Sequence, residues 1–128
     1  MTHRGAVLVV DDDADIRETI ALLLQTEGYD TLEASGGREA LERLRDARDV
    51  VVILLDLRMP DMSGTDLVKH LRSDPALARI PVVVMSGDNA ARAIATSMGA
   101  DGCLVKPIEL AMLLATADRY ARERAGGP

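Results

Sequence analysis

The chain has 128 residues, room for one domain with one sizeable core. Hydrophobic residues make up 48% and charged residues 28%, a balance that excludes disordered, collagen-like and disulfide-scaffold classes. Fifteen Lys and Arg against 21 Asp and Glu give a net charge of -6, and without a basic cluster the composition argues against a nucleic-acid partner.

In chain order, the first predicted element is the apolar run Ala6 to Val10, halted by Asp11, Asp12 and Asp13. A helical stripe of Ile16, Ile20, Leu23 and Leu24 follows, beginning after an Asp13 cap and stopping at Gly28. Asp30 to Ala34 is shorter and more polar, as suits an edge strand. Ala40, Leu41 and Leu44 line a second helix, whose Arg38, Arg43, Arg45, Glu39 and Glu42 form a solvated face. Val50 to Leu55 is a buried strand; Leu67, Val68 and Leu71 mark a third helix, and Asp74-Pro75 a turn. Pro81 to Met85 is the next strand, with Ala91, Ile94, Ala95 and Met98 on a fourth helix before Gly99. Gly102 to Val105 is the last strand, and Leu110, Leu113, Leu114 and Ala117 carry a fifth helix after Pro107. Residues 5–122 form the expected domain and Glu123 to Pro128 a frayed tail, with no output domain because only 22 residues follow Lys106. No apolar run exceeds six residues, so neither a signal peptide nor a membrane span is expected. The single cysteine, Cys103, cannot form an internal disulfide, which places the chain in the cytoplasm by expectation.

Five strands alternating with five helices, four of the strands apolar throughout, imply a parallel sheet covered on both faces. Ligands of such open α/β sheets bind beyond the carboxyl ends of the strands. Those ends carry Asp11, Asp12 and Asp13, then Asp56, then Ser86, then Lys106. Crowded carboxylates either take up protons or bind a cation. Oxygen ligands favour Mg²⁺ or Mn²⁺ over zinc, which would want His or Cys. A lysine and a hydroxyl beside the cation are the equipment for holding a phosphoryl group. Asp56, the one carboxylate on its own strand, is the natural nucleophile.

The segments Val9-Val10-Asp11-Asp12-Asp13, Leu55-Asp56-Leu57-Arg58-Met59-Pro60 with Gly64, Val84-Met85-Ser86-Gly87 and Gly99 to Pro107 resemble the receiver domain of two-component response regulators. The resemblance runs from about Ala6 to Tyr120, with gaps of 45, 30 and 20 residues separating Asp11, Asp56, Ser86 and Lys106. It implies a doubly wound, flavodoxin-like fold with strand order 2-1-3-4-5. It implies that Asp56 accepts a phosphoryl group from a histidine kinase or histidine phosphotransfer protein, and that the domain signals by phosphorylation-dependent protein binding or by phosphorelay. Asp12 and Asp56 would ligate Mg²⁺ directly, with the backbone carbonyl of Arg58, and Asp11 mostly through water. Lys106 would pair with the carboxylate and then with a phosphoryl oxygen. Ser86 would move to the phosphoryl group as the switch, and a cis peptide would precede Pro107. The exposed part of the first helix around Arg17 and the loop after Lys106 would meet the histidine donor. The face of the fourth helix, fifth strand and fifth helix would meet a downstream target or a second copy of the chain.

The resemblance departs at Cys103, which stands where receivers usually carry the aromatic half of the switch; Arg58 and Asp88 match positions that tune the lifetime of the acyl phosphate. Taken alone, Asp13 and Asp15 read as cap or turn residues, Cys103 as a small buried hydrophobe, and His70 and His3 as neither ligand nor phosphoacceptor. The expected activity is that of a signalling phosphoacceptor, not a turnover enzyme. A small Mg²⁺-dependent phosphohydrolase of the haloacid-dehalogenase type would keep an acid two residues after its nucleophile, where Arg58 stands. A degenerate receiver binding partners without phosphorylation would not be expected to retain every core group.

Overall fold

Successive side chains of a strand point to opposite faces, so a strand apolar at every position is stable only when both faces are covered. The computed structural model, which describes residues 4–126, shows this arrangement. The order is β1 (Ala6–Val10), α1 (Ala14–Thr26), β2 (Asp30–Ala34), α2 (Gly37–Asp46), β3 (Val50–Asp56), α3 (Gly64–Ser73), β4 (Val82–Ser86), α4 (Ala91–Met98), β5 (Gly102–Val105) and α5 (Leu110–Gly126). The strands form one parallel sheet in the order β2-β1-β3-β4-β5. The expected doubly wound fold is therefore present, with β2 at an edge.

Leu8 and Val10 of β1, Ile53 and Leu55 of β3, and Val82 and Val84 of β4 pack against α2, α3 and α4 through Leu44, Leu67, Leu71 and Met98. Their neighbours Val7, Val9, Val52, Leu54, Val83 and Met85 pack against α1 and α5 through Ile20, Leu24, Leu113, Ala117 and Tyr120. A register shift between Ala6 and Val7 lets one extra residue, Val51, enter β3. The polar residue Asp56, which closes β3, lies in the ladder opposite Met85 of β4.

Asp13 caps α1, accepting hydrogen bonds from the N–H groups of Asp15 and Ile16. Gly28 follows the helix with φ of +93°, which a residue without Cβ adopts freely. The peptide before Pro107 is cis.

Three expectations change. β4 runs one residue later than Pro81 to Met85, because Pro81 offers no N–H and contributes only its carbonyl, to Ile53 N. Leu110 is 48% exposed, and Tyr120 completes the buried stripe of α5 in its place. The tail expected from Glu123 is helical through Gly126, since Arg119 pairs with Glu123 and Arg124 with Asp49. Gly127, Pro128 and His3 lie outside the described residues.

Candidate functional site

The carboxyl ends of β1, β3, β4 and β5 lie side by side at one sheet edge, so the last residue of each strand, or the next, contributes to one site. Asp11 is fully buried, Asp56 is 3% exposed and Ser86 is 7% exposed, whereas Asp12 projects to the surface. Backbone bonds set these positions. Asp11 N donates to Ala34 O at 3.0 Å, and Lys106 N donates to Ser86 O at 2.8 Å, bringing the lysine beside the end of β4.

One oxygen of each buried carboxylate is satisfied locally. Asp11 Oδ1 accepts from Asp13 N at 2.9 Å and Asp56 Oδ1 from Arg58 N at 3.4 Å. The other oxygens, Asp11 Oδ2 and Asp56 Oδ2, are buried and receive no hydrogen bond. Lys106 Nζ lies 3.8 Å and 3.4 Å from them, at ion-pair separation but outside hydrogen-bond geometry. Unpartnered buried carboxylate oxygens are costly and mark a place for a ligand.

Burial pushes the Asp11 carboxyl up to about 6; the Asp13 N–H opposes the rise, Asp56 adds to it and Lys106 lowers it. Asp11, Asp12 and Asp56 each present an oxygen, all within 4.8 Å of one another. Three carboxylates against one ammonium leave a net charge near -2, and the donors are oxygens only. Both features, with the two orphaned oxygens, fit a hard divalent cation whose remaining positions are filled by water. Asp13 is taken up by its capping bonds and stands apart from this set.

Ser86 Oγ accepts from Asp88 N at 3.1 Å, and Asp88 Oδ1 accepts from Ala90 N, so the hydroxyl sits at the root of a short turn leading to α4. Cys103 is half-buried opposite Val84 and packs against the α2, α3 and α4 side of the core. His70 is exposed on α3.

Arg17 corrects the expectation of an exposed docking residue. Its guanidinium turns inward, donating to Asp11 O at 2.9 Å and to Glu33 Oε1 at 3.1 Å. It thereby clamps the end of β1 to β2. Glu33 lies opposite Val9 in the parallel register, a neighbour visible only once strand order is known. Beside Lys106, a groove of about 380 Å³ runs between α1 and the start of α5, lined by Ile16, Thr19, Leu23, Pro107, Ile108 and Leu110.

Residues 7–118 match the family described as response regulator receiver domain. Chemotaxis protein CheY1 of Helicobacter pylori is 38% identical over 104 residues, covering 79% of this chain and 84% of that protein. The transcriptional regulatory protein CpxR homolog of Haemophilus influenzae is 34% identical over 121 residues, 93% of this chain but 51% of its own length. The chain thus spans about half the length, or less, of several curated relatives it matches. Among solved structures, chemotaxis response regulator CheY4 of Vibrio cholerae superposes with a TM-score of 0.82 at 35% identity, covering 93% of this chain and 99% of that one. The signal receiver domain of a histidine kinase from Syntrophus aciditrophicus gives 0.85 at 28% identity, covering 97% and 95%.

Proposed function

The chain belongs to the response regulator receiver domain family of two-component systems, and on that footing we propose that Asp56 accepts a phosphoryl group from the phosphohistidine of a kinase or phosphotransfer protein. The observation that carries the reading is the Asp56 side chain itself, buried at the end of a central strand with one oxygen free of hydrogen bonds and facing Lys106.

In this reaction an Asp56 carboxylate oxygen attacks phosphorus, the P–N bond to the donor imidazole breaks, and the imidazole leaves with the electron pair and takes up a proton. Asp56 becomes an acyl phosphate. Strand β3 fixes the nucleophile, and burial keeps water from competing. Lys106, on the adjacent side of the site, is placed to transfer its ion pair from the carboxylate to a phosphoryl oxygen. Asp11, Asp12 and Asp56, with the Arg58 carbonyl, would hold Mg²⁺ or Mn²⁺, which supplies neutralisation of phosphoryl charge when bound. Ser86 would then donate its hydroxyl to the phosphoryl group, releasing the contact with Asp88 N and carrying the turn before α4 with it.

Receiver domains act between histidine kinases and downstream targets. The groove beside Lys106 has the apolar lining that would seat a helix of the donor protein. Val105 is 56% and Met112 54% exposed, which supports the β5 and α5 surface as the face for a target or a second copy. No described helix is long and apolar enough to cross a membrane. A cytoplasmic location is part of the proposal.

The test is intact mass after incubation with acetyl phosphate or phosphoramidate and Mg²⁺. A labile gain of one phosphoryl group is expected, lost in Asp56→Asn and on chelation of the metal. No adduct from a small donor or from a cognate kinase would overturn the reading. Sustained turnover of an external phosphomonoester would favour a phosphohydrolase instead.

A further inference from the structure

The N-terminus of α2 has no cap of its own, for Gly36 at the capping position carries no side chain. Its donors are met from the loop between β3 and α3. Asp61 Oδ1 accepts from Gly37 N at 3.0 Å and Asp61 Oδ2 from Arg38 N at 2.9 Å, one carboxylate spanning two successive N–H groups. Those bonds, Arg38 N–H foremost, hold the Asp61 carboxyl below its ordinary value.

A second observation is independent of charge. A Cβ at Gly36 would lie 2.6 Å from Asp61 Oδ1, and one at Gly37 would lie 2.4 Å from Met62 Cγ. The loop therefore sits against backbone where two consecutive side chains are missing. Gly36 has an extended φ of -170°, open to any residue, so space is what glycine provides here.

The same loop carries Arg58, and its far end is held by Ser63, which caps α3 through Asp66 N. Among the described residues, Asp61 is the only side chain from 58 to 62 that hydrogen-bonds to another element.

We propose that Asp61 is a positioning residue for the cation site: by clasping the loop to the start of α2 it holds the backbone carbonyl of Arg58 where the metal needs it. The inference rests on the reading of Asp11, Asp12 and Asp56, with the Arg58 carbonyl, as a Mg²⁺ site.

The experiment titrates the full chain with Mg²⁺ alone, by calorimetry or by backbone amide shifts. The chain and its Asp61→Ala, Asp61→Asn, Gly37→Ala and Glu39→Gln variants are compared, with urea unfolding measured on each. Asp61→Ala is expected to weaken Mg²⁺ about tenfold, the lower end for groups that orient metal ligands. Gly37→Ala should do the same with the carboxylate intact, by displacing Met62. Asp61→Asn retains one acceptor and should fall between, which keeps the proposal testable if the alanine variant unfolds. Exchange of the Gly37 and Arg38 amides should quicken in Asp61→Ala. Glu39 also serves the α2 N-terminus, accepting from Ser35 N, and it lines a shallow pocket with Pro60 and Asp61 without a hydrogen bond to either. Its variant should lose stability and keep Mg²⁺ affinity. Wild-type affinity in both Asp61→Ala and Gly37→Ala overturns the proposal while leaving the cation site standing. Absence of Mg²⁺ binding in the unaltered chain overturns both.

Discussion

The two edges of the sheet set their carboxylates in opposite surroundings. At the edge where the strands begin, the carboxylates are partly exposed, and one oxygen of each accepts two hydrogen bonds. Asp118 accepts from Arg4 Nη1 and from the Tyr29 hydroxyl, and Asp101 Oδ2 accepts from Arg72 Nη2 and Val82 N, both at 2.8 Å. Arg72 also donates to the carbonyls of Ala78 and Ile80. Burial, then the bond to Asp118, pushes Tyr29 up to about 12, so the hydroxyl stays a donor across ordinary pH. At the edge where the strands end, Asp11 and Asp56 each keep one oxygen without a hydrogen bond. The contrast shows that an aspartate at a strand terminus is not in itself a functional signal. The signal is a deficit of donors at a buried oxygen: the carboxylates of the first edge reach solvent, and those of the second do not.

Substitutions at the two edges should therefore behave differently. The largest effect is expected at Lys106, the cation within 4 Å of both buried carboxylates. Lys106→Ala should slow formation of the acetyl phosphate adduct on the order of 100-fold, the usual loss for one preorganised donor, as followed by intact mass. An unchanged rate would mean that the ammonium faces the site without serving it.

The next effect is one of sign. Asp118→Ala takes the acceptor from the Tyr29 hydroxyl and should cost about 1 kcal/mol in urea unfolding. Asp11→Asn, without metal at pH 7.5, should raise stability by on the order of 2 kcal/mol, because a charge held near -2 in total is relieved. With saturating Mg²⁺ the order should reverse, since the unaltered chain gains binding energy that the variant gives up. Destabilisation by both substitutions in metal-free buffer would erase the contrast between the edges.

The smallest effect concerns pH. Asp11 rises from 3.8 to about 6 on folding, so the folded chain binds the proton more tightly. Its ionisation disfavours folding fully above about pH 6, and that penalty lifts as pH falls from 6 toward 4. The stability gained by Asp11→Asn should shrink across the same interval. Mg²⁺ needs the carboxylate, so its affinity should drop by about tenfold per pH unit below 6. An affinity constant from pH 7.5 to 5 would show that Asp11 is not protonated there.

The parts legible in the sequence were those written in local pattern. Val50 to Leu55 is apolar without interruption because both its faces are covered, and Asp11, Asp56, Ser86 and Lys106 stand out by falling at the ends of such runs. What stayed hidden depends on pairing across the chain. Arg17 reads as one more polar residue of α1 until β2 is known to lie beside β1, which brings Glu33 within its reach. Asp61 caps a helix that begins 24 residues before it. The Gly36-Gly37 pair is informative only when the loop that fills its space is seen. Tyr120 and the last turn of α5 were missed for a similar reason, because Asp49 and the β-sheet face they meet are distant in sequence.

Borohydride trapping decides whether Asp56, and not the equally donor-poor Asp11, is the phosphoacceptor. The phosphorylated chain is treated with sodium borohydride, which reduces an acyl phosphate to the alcohol and converts the aspartate to homoserine, and the peptides are mapped by mass. Homoserine at position 56 alone, dependent on both phosphodonor and Mg²⁺, is the predicted result. Homoserine at position 11 or 12, or none while the protein carries phosphate, would contradict the account.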